Sequence, residues 1–124
     1  METLNRLFKQ QREFSDRVIR ERNINFTQEE WLLKILVALE DEISEVRGEL
    51  NWKWWKNKKP INVPALHEEI ADLWIFLIQL TDMAGLSAED IVAIIDAKTA
   101  ENHARQDGTS KKKGYAVPAG DEIN

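Results

Sequence analysis

Apolar residues recur at intervals of three and four along most of this 124-residue chain, while glycine and proline are scarce before residue 107. This spacing is typical of amphipathic α-helices. It predicts four helices, over about residues 2–22, 27–50, 64–84 and 87–106. Because short connections between helices favour a bundle, we predict an all-α, four-helix-bundle-like protomer. We expect it to span residues 1–107 as one domain, followed by a flexible C-terminal tail, 108–124.

Residue types at the predicted helix ends support these boundaries. Thr27-Gln28-Glu29-Glu30 reads as a capping box that opens the second helix. Pro64 suits the first turn of the third helix, where its missing N–H costs nothing. Gly85 is a suitable residue just beyond the end of that helix.

Composition excludes several classes of protein. The formal net charge of −5 argues against a general nucleic-acid binder, and the lack of cysteine excludes disulfides and cysteine-based zinc sites. The first fourteen residues are too polar for a signal peptide, and the longest apolar run, 73–80, is less than half a membrane span. We therefore expect a cytoplasmic protein without a membrane or nucleic-acid partner.

Acidic pairs occupy positions in two otherwise apolar helices. Glu42, Glu45 and Glu49 lie three and four residues apart in the second helix, so they share one face. Glu69 and Asp72 repeat this spacing in the third, whose middle, 73–78, is apolar on all sides, as in a buried helix. These positions continue the inward apolar rows, and buried carboxylates need a compensating cation. Oxygen ligands favour Mg²⁺, with Mn²⁺ as an alternative. An ordinary solvated acidic face remains the other interpretation.

Three further features suggest substrate contacts, each with a structural alternative. The linker at 51–63 combines three tryptophans with four lysines, which suits either phosphate binding or packing against the end of the bundle. Gln11 lies on the apolar stripe of the first helix, where its amide can read a pyrimidine edge or make an internal contact. Phe76 shares a stripe with Glu69 and Asp72, where it can stack on a base or fill the core.

The two acidic pairs resemble the signature of the all-α NTP pyrophosphatase superfamily, E-x-x-E followed by E-x-x-D. This superfamily includes dimeric dUTPases, MazG-like enzymes and phosphoribosyl-ATP pyrophosphohydrolases. Three other segments resemble the dimeric dUTPases in the same order along the chain: Leu7-Phe8-x-x-Gln11, Lys53-Trp54-Trp55, and Lys98-x-x-x-Asn102-x-x-Arg105-Gln106 with the later Gly114-Tyr115. Leu73 and Ile75 stand where those enzymes tend to have glycine and histidine, a difference that bears on base or sugar specificity.

The resemblance implies a homodimer that hydrolyses dUTP to dUMP and pyrophosphate. It implies metal ligands at Glu42, Glu45, Glu69 and Asp72, and uracil recognition by Gln11 and Asn102. By the same resemblance Phe76 would stack on the base and Trp55 would line the pocket, while Lys98, Arg105 and Tyr115 would face the phosphates. The linker lysine Lys58 is a further candidate for phosphate contact. We expect Glu45 or Glu49 to act as the general base.

Two alternatives share parts of this pattern. A MazG-like pyrophosphatase acting on another nucleotide, such as dCTP or a modified one, would use the same metal site. A non-catalytic helical interaction module would use the tryptophan-rich linker as its contact and would bind no Mg²⁺.

Overall fold

A computed structural model describes residues 1–112 and residue 114 of the chain. Its four helices are α1 (Glu2–Arg22), α2 (Gln28–Gly48), α3 (Val63–Met83) and α4 (Ala88–Asp107). No strand occurs among these described residues, so the prediction of an all-α, bundle-like protomer is confirmed. The second helix ends two residues earlier than predicted.

Local capping interactions fix the helix boundaries. The Thr27 hydroxyl accepts a hydrogen bond from the Glu30 N–H at 3.2 Å, which supplies one half of the predicted capping box. The Asn62 side chain likewise accepts from the Ala65 N–H at 3.2 Å, and Pro64 lies in the first turn of α3 as predicted. Beyond α3, Gly85 adopts a φ of 87°, a left-handed conformation that other residues rarely adopt.

The chain divides into two compact units, 1–88 and 89–124. The first contains α1, α2 and α3, with α3 in contact with both of the other helices. Of the second unit, the described part is mainly α4. No single helix of the described chain is long and apolar enough to cross a membrane; α3 and α4 taken together reach that length and composition only with a break between them.

The core of the first unit is small. One apolar side chain from each of its three helices is buried, namely Phe8, Ile35 and Ile78. Ser15 of α1 and Ala88 are buried as well. Each helix therefore buries a narrow stripe rather than its full apolar surface.

Much of the predicted core is exposed. The middle of α3 was predicted to be buried on all sides, and this prediction is wrong: Trp74 is 60 % exposed and Leu77 is 47 % exposed. The exposed apolar residues also include Phe14, Leu36, Ile43, Leu50 and Ile75. Periodicity identifies which residues are apolar, but it does not identify the partner that covers them.

Candidate metal centre and substrate residues

Antiparallel packing of α2 on α3 brings the predicted acidic pairs together. At one end of the helix pair, the Gln28 side chain donates to the Met83 carbonyl at 3.1 Å. Toward the other end, the carboxyl groups of Glu45 and Glu69 lie in hydrogen-bonding contact. Oxygen atoms from Glu42, Glu69 and Asp72 all lie within 4.8 Å of one another. We call Glu42, Glu45, Glu69 and Asp72 the carboxylate cluster.

The cluster is electrostatically unfavourable for the chain alone. Burial raises the pKa of Glu42, and repulsion from Glu45 and Asp72 adds to that effect. The pKa of Glu45 is raised by its contact with Glu69 and by the Glu69 charge. For Glu69, contact with Glu45 acts to lower the pKa, but burial and the neighbouring Glu42 and Asp72 outweigh it, and the pKa is raised. The cluster therefore favours binding of protons or of another cation.

Two oxygen atoms of the cluster bear on which kind of cation it would bind. Oε2 of Glu42 and Oε2 of Glu69 are buried, and neither accepts a hydrogen bond within the described part of the chain. Buried oxygens without partners are costly, so a bound cation at this position would stabilise them. Carboxylate oxygens from two helices are the donor set of Mg²⁺ and related hard cations. The residues present therefore fit a divalent metal.

Glu49 and Phe76 lie on the same two helices. Glu49 caps the C-terminal end of α2 and is half-buried, one turn after Glu45, but its oxygens are not among the three that converge. Phe76 is half-buried in α3, one turn after Asp72. Their predicted roles as general base and base-stacking ring stay predictions.

On α1, Gln11 has an internal contact. Its Nε2 donates to the hydroxyl of the buried Ser15 at 3.3 Å, one turn further along the helix. The next residue, Arg12, donates to both carboxylate oxygens of Asp82 on α3, with its Nε at 3.1 and 3.3 Å from them. This ion pair attaches the Gln11 turn of α1 to α3, and it was not visible in the sequence because the partners are 70 residues apart.

The linker between α2 and α3 forms an ordered loop. Trp55 packs edge-to-face against both Trp52 and Trp54, with ring centroids 5.9 and 5.6 Å apart. Trp55 and Lys58 are both exposed. Sequence reasoning missed Asn51, whose side chain bonds the backbone of Lys59. Its signal was an asparagine just after a helix end, a position where this side chain often bonds nearby backbone.

The remaining predicted residues belong to the second unit. Lys98 and Asn102 are exposed on α4. Arg105 donates to Glu101 at 3.1 Å, and this bond, with that of the Ser110 hydroxyl, keeps the Glu101 pKa below its ordinary value. Tyr115 lies outside the described residues.

Comparison with known proteins supports one family. The profile of the dUTPase family matches residues 3–81, well over half of the chain. The matched segment runs from α1 almost to the end of α3 and contains all four residues of the carboxylate cluster. Lys98, Asn102 and Arg105 fall outside it. No curated protein and no solved structure matches the chain significantly.

Proposed function

This chain belongs to the family of all-α dimeric dUTPases, and we propose that it hydrolyses dUTP to dUMP and pyrophosphate with bound Mg²⁺. Family membership supports dUTP hydrolysis. The metal requirement and the products are our proposal. The metal requirement is supported by two buried carboxylate oxygens, one of Glu42 and one of Glu69, that accept no hydrogen bond within the described part of the chain.

Glu42, Glu45, Glu69 and Asp72 would hold the metal. Bound Mg²⁺ would neutralise charge on the triphosphate and orient its oxygens. A carboxylate would take a proton from the water that attacks the α-phosphorus. Glu45 suits this role because it is exposed within the cluster, so water reaches it. Glu49, one turn further, is the second candidate.

Base recognition is assigned to side chains that can use both donor and acceptor groups. We propose that Gln11 and Asn102 bond the uracil edge, that Phe76 stacks on the ring and that Trp55 lines the pocket. Ser15 supports this assignment because its contact orients the Gln11 amide. Phosphate contacts would come from Lys58, Lys98, Arg105 and Tyr115.

An exposed apolar groove supports a homodimer. It has a volume of about 500 Å³ on one side of the α2–α3 pair and is lined by Leu36, Leu39, Glu40, Ile43, Leu73, Trp74 and Leu77. Contiguous apolar surface of this kind usually marks an interface. A second copy can cover it through the same groove, as twofold symmetry requires. We propose that this groove is the dimer interface.

The test of catalysis is pyrophosphate release from a panel of deoxynucleoside and nucleoside triphosphates, with Mg²⁺ and with EDTA. We expect release from dUTP that EDTA abolishes. Turnover of a different nucleotide would retain the metal chemistry and reject the assignments of Gln11 and Asn102. Undiminished turnover of dUTP after complete metal removal would reject the metal centre.

The test of the interface is sedimentation equilibrium of the Leu77→Lys variant. Val37→Lys is the matched control, because Val37 is 65 % exposed on α2 and does not line the groove. We expect only Leu77→Lys to sediment as a monomer. A dimer that survives in both variants would place the interface elsewhere.

A further inference from the structure

Asn51 closes the tryptophan–lysine loop at its base. Its Oδ1 accepts from the Lys59 N–H at 2.9 Å, and its Nδ2 donates to the Lys59 carbonyl at 2.9 Å. One amide side chain thus satisfies both backbone groups of one residue, eight positions away. The loop between them, 52–58, carries three tryptophans and three lysines.

This clamp is the longest-range hydrogen bond of the loop. The backbone bonds within it, from Trp52 N–H to the Leu50 carbonyl and from Lys56 N–H to the Lys53 carbonyl, span two and three residues. These short bonds shape individual turns but do not hold the two ends of the loop together. The contacts among Trp52, Trp54 and Trp55 lie within the loop, so they shape it without joining its two ends. The clamp is therefore the hydrogen-bonded contact that joins the two ends of the loop.

The loop lies at the end of the helix pair that holds the carboxylate cluster. Glu45 is three residues before the end of α2, and Glu69 is six residues after the start of α3. At about 1.5 Å per residue, both lie within roughly 10 Å, along the helix axes, of the points where the linker begins and ends. Nucleotide bound at the cluster is thus within reach of long side chains from the loop.

We propose that Asn51 is a positioning residue for substrate binding: its clamp on Lys59 fixes the loop so that Trp55 and Lys58 are in place before the nucleotide arrives. This inference rests on the proposed function. Ordering a loop at the moment of binding weakens affinity, and preorganisation removes that cost. The Asn51 amide is engaged by the Lys59 backbone through both its oxygen and its nitrogen, so its loss should affect binding rather than the chemical step.

Two substitutions separate the two halves of the clamp. Asn51→Ala removes both hydrogen bonds. Asn51→Asp keeps the acceptor for the Lys59 N–H but places a carboxylate oxygen against the Lys59 carbonyl, where two acceptors repel. Asn57→Ala is the matched control, because it removes an exposed asparagine amide from the same loop and leaves the clamp intact.

Hydrogen exchange and steady-state kinetics test the proposal together, on the full chain with Mg²⁺. We expect faster amide exchange across 52–59 in both Asn51 variants and not in Asn57→Ala. For dUTP we expect KM to rise roughly tenfold in both while kcat stays within about twofold, as when ordering is deferred to the binding step. A fall in kcat at unchanged KM would overturn the positioning role.

The remaining outcomes are also decisive. Unchanged exchange in Asn51→Ala would show that the clamp does not order the loop. Faster exchange with unchanged KM would show that loop order does not serve substrate binding. If the unmodified protein hydrolyses no nucleotide, the proposed function fails and the positioning role fails with it, whereas the exchange data still decide whether the clamp exists.

Discussion

Helix α3 carries two acidic sites that the chain treats differently. Near its C-terminal end, Asp82 is largely buried, with 15 % of its side chain exposed, and Arg12 bonds both of its oxygens. Nearer its start, Glu69 faces the carboxyl groups of Glu42, Glu45 and Asp72. The sites lie ten or more residues apart on one helix, so about 15 Å or more along its axis.

This difference is expected if Asp82 has a structural role and the cluster binds the proposed metal. At Asp82 the chain supplies its own cation, and the interaction holds α1 against α3. At the carboxylate cluster the described part of the chain supplies no cation, and two buried oxygens accept no hydrogen bond from it. A chain that only needed to fold would gain by placing apolar residues there. Carboxylates arranged in this way are what the proposed metal site would require.

The largest expected difference between the two acidic sites is in their effect on catalytic activity. We expect Glu69→Gln to lower kcat/KM for dUTP by at least about 1,000-fold, on the order of 4 kcal/mol, because metal ligation stabilises charge in the transition state. Asp82→Asn should leave activity within a few-fold, because Asp82 serves the Arg12 contact. Pyrophosphate release measures both. Comparable losses in the two variants would mean that the two sites do not differ in function.

Metal binding should also increase the free energy of unfolding. At Mg²⁺ concentrations about 100-fold above the dissociation constant, we expect stabilisation by about 2.7 kcal/mol relative to EDTA. Urea denaturation with and without Mg²⁺ measures this difference. Asp82→Asn should retain it and Glu69→Gln should lose most of it. Equal stabilisation of both variants would place the bound Mg²⁺ away from the cluster.

The fold was largely predictable because its determinants are local. The Thr27 cap, the first-turn residue Pro64 and the three-to-four spacing of apolar residues are local signals, and they predicted the four helices. The approach of the two acidic pairs was also predictable, since a short linker favours antiparallel neighbours. The match to the dUTPase family covers residues 3–81, which include both acidic pairs, and it agrees with the family resemblance drawn from them.

What the sequence did not reveal depends on distant or external partners. Arg12 and Asp82 are 70 residues apart, and no local pattern links them. Leu77 and Trp74 appeared to be core residues, because apolar side chains for a fold interior and for an interface follow the same periodicity. In the second unit, the charge of Lys98 and Arg105 suggested phosphate contacts, whereas the role of Asn102 was predicted from the resemblance alone.

A smaller effect should distinguish the Arg12 ion pair from an ordinary surface pair. We expect Arg12→Ala to destabilise the protein by about 1–2 kcal/mol, because it leaves the largely buried Asp82 unpaired, an effect moderated by the 56 % exposure of the arginine. Arg17→Ala, which removes an exposed pair with Glu21, should cost about 0.5 kcal/mol or less. Urea denaturation compares them. Equal effects would show that the Arg12 pair is only a surface contact.

The smallest effect is the pH dependence of the metal-free protein. Glu42, Glu45 and Glu69 have raised pKa values in the folded chain, so folding favours their protonated forms. Their contribution to stability is thus present below the ordinary glutamate pKa and is lost as pH rises through the raised values. In EDTA, the contribution of these three residues to the free energy of unfolding should therefore increase as pH falls from 7 toward 5. Solvent exposure of Glu45 keeps the effect modest.

The Glu42→Gln variant isolates that contribution, because its amide cannot ionise. In EDTA the wild type should be less stable than the variant at pH 7, and this deficit should shrink as pH falls. With saturating Mg²⁺ the wild type should instead be the more stable at pH 7, and its advantage should shrink as pH falls, since metal and protons compete for the same oxygens. Arg12 provides the internal reference: its pKa is raised by Asp82, so the arginine remains charged throughout. Thermal unfolding from pH 5 to 7 measures each case. A wild-type-to-variant difference that is independent of pH and of Mg²⁺ would mean that the cluster, like the Asp82 site, is already neutralised within the chain.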